Sequence, residues 1–496
     1  MRRRERLRRR QGARRPTVKL QLHPSGQTLA DQLFAAGVEF PCGGESACGG
    51  CKVRVLEGEV PVTAGMRDAL SEREIRDGWR LACCALAADR VVVEVEQWSL
   101  PVLTDEARVP PLEPMDPRPG RGAVIDLGTT TLVAQVVDLA SGDVLGVETA
   151  LNPQARYGAD LMSRLQVELR QPGELGRIIR EALGGMLGGE PLREVLVAGN
   201  TVMHHLFCGL DVRPLTHAPF LSPTLGGYRF ADWELAWPGP AVFLPCLGGF
   251  VGSDVLCGIV ATGMDGRTRP RALFDIGTNG EVVVGSAEGI VYASTAAGPA
   301  FEGGRIGAGM RAGTGAIDSV HVRSGALDCH VIGGGAARGV CGSGLVDAAA
   351  CGIELGLIGA NGRLTNPGKR LPLADGIALA QSDIRELQLA KGAMAAGLRM
   401  LATGGVEKLE LAGAFGNYIR QASARAIGLL PEDLAVESVG NSALRGARML
   451  LLAPSTRQAR LRKIGEVSRH VELAADPDFQ YLYAEMMALA RYRLSA

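Results

Sequence analysis

The chain runs to 496 residues, too long for one ordinary hydrophobic core, so two or three folded units are required. Its formal net charge is zero, yet nine arginines against Glu5 give residues 1–15 a charge of +8 and leave −8 on the remainder, which argues against a basic folded face for nucleic acid. No apolar run of about 18 residues or more occurs and the arginine-rich start lacks an apolar stretch, so neither a membrane span nor a secretory leader is indicated and a cytoplasmic location is expected. Hydrophobic residues make up 46%, aromatics only 4%, and 67 glycines are spread along the chain, a profile of tight strand-to-helix turns in an α/β protein. Eleven cysteines in a reducing compartment point to metal rather than disulfides.

Residues 1–15 are read as a basic, disordered extension or the product of an upstream start codon. Over residues 16–97, TVKLQLHP, CKVRVLEGEV and RVVVEVEQW alternate as strands and GQTLADQLFAAG reads as a short helix. Cys42, Cys48 and Cys51 fall in PCGGESACGGC, and Cys83 and Cys84 follow in RLACC after a gap of 31 residues. Three clustered thiols and one distant thiol suit a 2Fe-2S cluster, in which four thiolates surround two irons and Gly43, Gly44, Gly49 and Gly50 free the backbone to wrap the sulfides. A zinc knuckle would need two CxxC-like hooks where the chain offers one. The segment resembles the β-grasp fold of plant-type and adrenodoxin-type ferredoxins, nearer the latter because five residues separate its first two ligands. The resemblance implies Cys83 as the fourth ligand, since RLAC matches the family's Arg-Leu-small-Cys signature, with Cys84 as the fallback. Cys208, Cys246, Cys257, Cys329, Cys341 and Cys351 stand alone among apolar and glycine residues, as small core residues do.

Residues 98–120 form a proline-dense, extended linker. A two-lobed domain is expected beyond it, with lobe 1 at 121–270 and lobe 2 at 271–496. GAVIDLGTTTLVAQVVD reads as a hairpin presenting Asp126, Gly128, Thr129, Thr130 and Thr131, and RALFDIGTNGEVVVGS repeats the design with Asp275, Gly277, Thr278, Asn279, Gly280 and Glu281. One Asp-x-Gly-Thr turn is weak evidence. Two turns, each after an apolar strand and 149 residues apart, are much stronger. In each, backbone N–H groups and hydroxyls suit phosphate oxygens, while Asp126 and Asp275, the candidate catalytic residues, suit Mg2+ directly or through water. LELAGAFGNYIRQ places Gly413, Ala414, Phe415 and Gly416 where a backbone could approach adenosine, and EVLVAGNTVMHHLF is a similar strand, turn and helix junction. Two more glycine-rich stretches, AAGPAFEGGRIGAGMRAGTGAI and RGVCGSGLVDAA, either line the same cleft or permit close helix packing. No GxGxxG opens a helix after the first strand and no GxxxxGK[ST] occurs, which disfavours Rossmann and P-loop alternatives. DPDFQYLYAEMMALARY is expected as a helix packed on the domain.

The paired turns resemble the phosphate motifs of the superfamily of actin, sugar kinases, acetate kinases and heat-shock chaperones. With NPQARYGADLMSRL, AGNTVMHHL, GPAFEGGRIGAGMRA and GVCGSGLVDA in that order, the stretch from about 16 to 450 resembles the reductive activators of corrinoid proteins. The fold this implies is multidomain, a β-grasp 2Fe-2S ferredoxin domain (α+β) followed by a two-lobed actin-like α/β ATPase domain. The implied activity is ATP- and Mg2+-dependent transfer of one electron from the cluster to a cobalt(II) corrinoid, regenerating cobalt(I) for methyl transfer. The implied partners are a corrinoid protein or corrinoid-dependent methyltransferase and an external low-potential electron donor, with a homodimer left open. Longer members carry a middle domain between the two parts, for which this chain is expected to offer only the linker. Competing readings are a small-molecule kinase or an ATP-sensing adaptor with an attached redox domain. Activators that hold a cubane cluster between two subunits are disfavoured by the plant-type ligand set at residues 42 to 83, and nothing like the CxxCxxC of a subgroup with C-terminal cubane clusters follows Cys351.

Overall fold

A computed structural model describes residues 17–24, 28–33, 51–96, 112, 114–158, 161–189, 191–231, 235–277, 279–295 and 297–495. The chain divides into two compact units, Met1–Ser99 with Arg156–Ala159 and Leu100–Ala155 with Asp160–Ala496.

In the first unit, strands β1 (Thr17–Leu22), β2 (Lys52–Glu57), β3 (Trp79–Leu81) and β4 (Val91–Glu96) form one sheet in the order β1-β4-β2-β3. Each adjacent pair is antiparallel. Val91, Val93 and Val95 alternate onto the buried face, as the two-residue strand period requires, and meet Val53, Leu81 and the helix α1 (Leu29–Leu33) through Leu29 and Leu33. The expected strands and helix are all present. Sequence periodicity did not disclose β3 or the short helices α2 (Ala64–Ala69) and α3 (Glu72–Arg76), the last opened by a capping box between Ser71 and Glu74.

The second unit is built on two six-stranded sheets of matching design. The first uses β5 (Arg121–Leu127), β6 (Thr131–Asp138), β7 (Val144–Leu151), β8 (Val195–Gly199), β9 (Tyr228–Phe230) and β10 (Ala241–Phe243) in the order β7-β6-β5-β8-β10-β9. The helices α4 (Leu161–Arg170), α5 (Glu174–Leu187), α6 (Thr201–Cys208) and α7 (Ser253–Thr262) accompany it. The second sheet uses β11 (Arg271–Ile276), β12 (Gly280–Ser286) and β13 (Gly289–Thr295), and later strands close it. Between them come the small sheet of β14 (Ala316–Arg323), β15 (Ala326–Val331) and β16 (Gly339–Val340), helix α8 (Gly342–Glu354), the hairpin β17 (Arg370–Ala374) and β18 (Ile377–Ala380), and the long helix α9 (Gln381–Leu401). Then follow β19 (Lys408–Ala412), α10 (Gly413–Tyr418), α11 (Gln421–Ala426), β20 (Ala435–Gly440), α12 (Ser442–Leu451), α13 (Pro454–Val467), β21 (Ser468–His470) and α14 (Pro477–Met486). The order is β20-β19-β11-β12-β13-β21. In both sheets an antiparallel trio starts the lobe, and its first strand pairs on the other side with a parallel strand, β5 with β8 and β11 with β19.

The central strand β8 is buried at all five residues and reads VLVAG, the continuous small and apolar run of a parallel strand covered on both faces. Helices α7 and α12 share a core with residues of both sheets, including Val124, Leu196, Leu273 and Val283. Their backbones approach closely because glycines face them: a Cβ on Gly446 of α12 would stand 1.9 Å from the Cys257 carbonyl of α7. The C-terminal helix α14 packs Phe479 and Met486 into the core with α9, as its sequence suggested. Gly446→Ala is therefore expected to destabilise the second unit by about 1–3 kcal/mol in calorimetric unfolding. Gly465→Ala in α13, where an added Cβ meets nothing within 4 Å, is expected to be stabilising by up to about 1 kcal/mol.

Candidate functional site

The two hairpin turns of the second unit meet at one cleft of about 320 Å³. In the first, Gly128 N–H donates to the Thr131 carbonyl at 3.1 Å, and a side chain at Gly128 would collide with that oxygen. Asn152 pins the turn from the end of β7, donating from Nδ2 to the Gly128 carbonyl at 2.9 Å. Asn200, the N-cap of α6, donates from Nδ2 to Thr129 Oγ1 at 3.0 Å. In the second turn Gly277 N–H donates to the Asn279 carbonyl at 3.1 Å. Between Asp275 and Gly413, which opens α10 with φ 82°, the backbones nearly touch, and a Cβ on Gly413 would lie 2.9 Å from the Ile276 carbonyl. Phe415 stacks on Phe301 with centroids 4.6 Å apart and forms an apolar wall.

Four carboxylates from β5, α7, β11 and β12 converge on this cleft, Glu281 buried and Asp126, Asp254 and Asp275 half-buried. Asp275 and Glu281 are register partners across the β11–β12 pair, so two acids stand directly opposite on one face, an arrangement that is unfavourable when both are charged. Asp254, in the first turn of α7, and Asp126, at the end of β5, complete the group. Burial pushes Asp275 up to about 7 with help from the Asp126 charge, and raises Glu281 well above the usual range with help from Asp254 and Asp275. Asp254 is raised by burial and by Asp275. Burial holds Asp126 at about 6, opposed by a 2.7 Å hydrogen bond that it accepts from Asn441 Nδ2. Among the described residues no three acids, histidines or cysteines are drawn together as direct ligands of one ion.

Of the residues singled out from the sequence, Asp126, Gly128, Thr129, Thr130, Thr131, Asp275, Gly277, Asn279, Glu281, Gly413 and Phe415 line the cleft. Gly280 does not: it lies within β12, where a Cβ would meet Met394 Sδ of α9 at 2.2 Å, so its smallness serves packing. Gly416 likewise packs on Leu411 and offers its carbonyl to Ser438 Oγ at 2.9 Å. Thr278 and the Ala414 side chain lie outside the described residues. Both glycine-rich stretches with open readings contribute, through Phe301, Glu302, Arg311, Cys341, Gly342 and Ser343. Sequence reasoning missed Asp254 and Asn441. A glycine, a short polar residue and the start of a helix mark both, in VGSDVL and VGNSAL.

In the first unit, Cys51 and Cys83 are buried, unoxidised and 3.3 Å apart at their Sγ atoms. Ala82 N–H donates to the Cys51 carbonyl at 3.0 Å, which ties the two segments together. Arg80 braces the approach by donating to the carbonyls of Val60, Ile75 and Trp79. Cys84 turns elsewhere, to Thr63 Oγ1 at 3.3 Å. Two soft thiols meeting at an apolar core fit an iron–sulfur group. Cys42 and Cys48 lie outside the described residues.

A duplicated sheet with paired acidic turns across one cleft defines an ATPase-type fold of the actin and sugar-kinase class, carried here with a cysteine-rich redox unit. Family profiles agree: 2Fe-2S iron-sulfur cluster binding domain over 15–88, RACo middle region over 121–267, and C-terminal domain of RACo, the ASKHA domain, over 270–496. Corrinoid activation enzyme RamQ of Eubacterium limosum is 34% identical over 418 residues, covering 74% of this chain and 70% of the relative. The Methanosarcina barkeri [Co(II) methylated amine-specific corrinoid protein] reductase is 26% identical over 415 residues, 73% of this chain and 76% of its own length. A solved reductive activator for corrinoid, iron-sulfur protein superposes with a TM-score of 0.65 at 26% identity, covering 95% of this chain and 96% of that one. The chain belongs to the RACo family of reductive activators of corrinoid proteins.

The match corrects one expectation. The middle region is not missing, because its profile falls on residues 121–267. Those residues build the whole first sheet, β5 to β10, and so form one wall of the cleft rather than a detachable insert.

Because burial raises the cleft carboxyls above the ordinary aspartate value of about 3.9, the folded chain binds more protons than the unfolded one. Stability of the nucleotide-free protein is therefore expected to fall as pH rises from about 4 to about 7, at about 1.4 kcal/mol per pH unit for each carboxyl that stays protonated only in the folded chain. Asp275→Asn should raise the thermal midpoint of the nucleotide-free chain at pH 7.5 and flatten that slope; a lowered midpoint would contradict the assignment. Iron content gives a second check: Cys83→Ser is expected to lose the cluster's two irons and Cys84→Ser to keep them.

Proposed function

We propose that this chain uses ATP and Mg2+ to pass one electron from its 2Fe-2S cluster to the cobalt(II) of a corrinoid protein or corrinoid-dependent methyltransferase, regenerating cobalt(I) for methyl transfer. The observation that carries the reading is the convergence of two Asp-Gly hairpin turns on one cleft in a chain whose separate cysteine-rich unit brings Cys51 and Cys83 together.

Cys42, Cys48, Cys51 and Cys83 hold the cluster, which when bound supplies a one-electron carrier of low potential, near about −400 mV for the plant type. The Gly128 to Thr131 turn and the Gly277 to Asn279 turn hold the phosphates by N–H groups and hydroxyls from opposite sides. Asp126 and Asp275 would hold the cation directly or through water, and their partial burial would make an incoming divalent charge worth more than it would be at the surface. Phe301 and Phe415 make an apolar wall at the base end, beside Gly413.

Moving one electron uphill costs roughly 2.3 kcal/mol per 100 mV. A shortfall of one or two hundred millivolts, roughly 2–5 kcal/mol, is within reach of lobe closure that binds one state of the partner preferentially. ATP thus acts on conformation, and the electrons come from an external low-potential donor. Among the described residues no helix is long and apolar enough to cross a membrane, and a cytoplasmic location belongs to the same reading, since that compartment keeps cluster-ligating thiols reduced.

With a low-potential donor and a cobalt(II) corrinoid protein under anaerobic conditions, the intact chain is expected to yield cobalt(I) only when ATP and Mg2+ are present, followed by its absorption spectrum. Asp126→Ala and Cys51→Ser should each abolish the signal. Equal reduction without ATP would reject the coupling, and phosphorylation of a small substrate instead would move the assignment to a kinase.

A further inference from the structure

One helix spans the distance between the nucleotide cleft and the tether of the redox unit. The ten-residue α12 starts at the cleft with Asn441 as its N-cap, and that side chain is engaged at both ends. Its Oδ1 accepts from Leu444 N–H at 2.8 Å, capping the helix, while its Nδ2 donates to Asp126 Oδ2 at 2.7 Å, across to the opposite sheet. Asp126 thus lies against the positive end of a helix and is joined to it through one side-chain amide.

Helix α12 then runs about 15 Å, ten residues at 1.5 Å each, clamped to α7 by the Gly446–Cys257 contact. Helix α7 in turn carries Asp254 into the same cleft. At its far end the helix holds the linker. The Leu452 carbonyl accepts from the backbone N–H groups of Met115 at 3.1 Å and Asp116 at 3.2 Å, and the Leu451 carbonyl accepts from the Arg118 guanidinium at 3.0 Å. Asp116 also accepts from Ser455 N–H and Oγ at 2.9 and 2.6 Å, in the first turn of α13. The described linker residues are therefore fastened to the two helices that meet at residues 452–453.

We propose that Asn441 is the positioning residue through which the cleft reports to the linker. It orients Asp126, and any change in what Asp126 binds is felt at the cap of α12 and delivered by that helix to Met115, Asp116 and Arg118. The inference rests on the nucleotide reading above and adds to it a route. A cation held by Asp126 competes with Asn441 for the same carboxylate, which perturbs the cap, and a helix packed backbone to backbone on α7 transmits the change as a body.

The test is hydrogen exchange at the amides of Met115 and Asp116 in the cluster-loaded full chain, with and without MgATP, alongside direct measurement of MgATP binding. In the wild type, saturating MgATP is expected to change exchange at these amides about five-fold or more. Asn441→Ser and Asn441→Thr keep a competent cap and set no further carboxylate against Asp126, so both should melt close to the wild type, but neither carries the amide that donates to Asp126. Compared at MgATP concentrations that saturate each variant, both are expected to lose the response, whatever their affinity. A purely structural role would shift exchange equally with and without nucleotide, leaving the ratio intact. A wild type that binds MgATP without a change at the linker, or variants that keep the full response, overturns the inference. A wild type that fails to bind MgATP removes the nucleotide reading and this route together.

Discussion

Four carboxylates crowded around one cleft impose the constraint to which the second unit is built. Asp275 and Glu281 stand opposite each other in one ladder, with Asp254 and Asp126 close by from two other elements. Such a cluster is unfavourable by itself and persists only because the surrounding packing is strong enough to hold it. That packing is the duplicated pair of sheets with α7 and α12 wedged into their shared core. Glycines at 128, 413 and 446 follow from the same demand, since each sits where a side chain would drive apart the backbones that bring the acids together.

The parts of this arrangement visible in the sequence were those made by neighbours in the chain. A strand, an Asp-x-Gly-Thr turn and a second strand declare themselves over a dozen residues, and both hairpins formed as read. The hydrogen bond from Asn441 to Asp126 joins residues 315 apart, and no local pattern announces such a pairing. Asp254 was hidden for the same reason, although the glycine and polar cap before its helix were legible. Gly280 and Gly416 show the opposite error: a glycine beside a functional turn reads as ligand-facing, yet each is small here because a neighbouring helix or strand presses on it. The middle region was overlooked because a lobe of the cleft and a named domain of relatives are the same residues.

In the redox unit two adjacent cysteines differ in direction, which spacing alone does not reveal. The turn Ala82–Cys84 sends consecutive side chains to different sides, Cys83 toward Cys51 and Cys84 toward Thr63. Sequence similarity to ferredoxins could name RLAC; the fold adds that Cys83 faces Cys51 while Cys84 does not.

The lining of the cleft also has a bearing on which nucleotide species it admits. Its described side chains include five carboxylates, Asp126, Asp254, Asp275, Glu281 and Glu302, and a single cationic residue, Arg311. Among the described residues lining it there is no counterpart of the lysine by which P-loop proteins neutralise a polyphosphate. A triphosphate arriving bare would bring several negative charges to a cleft lined by acidic side chains, whereas one wrapped around a divalent ion arrives nearly neutralised. On the proposed reading, the cleft would favour a magnesium-bound triphosphate over a bare one.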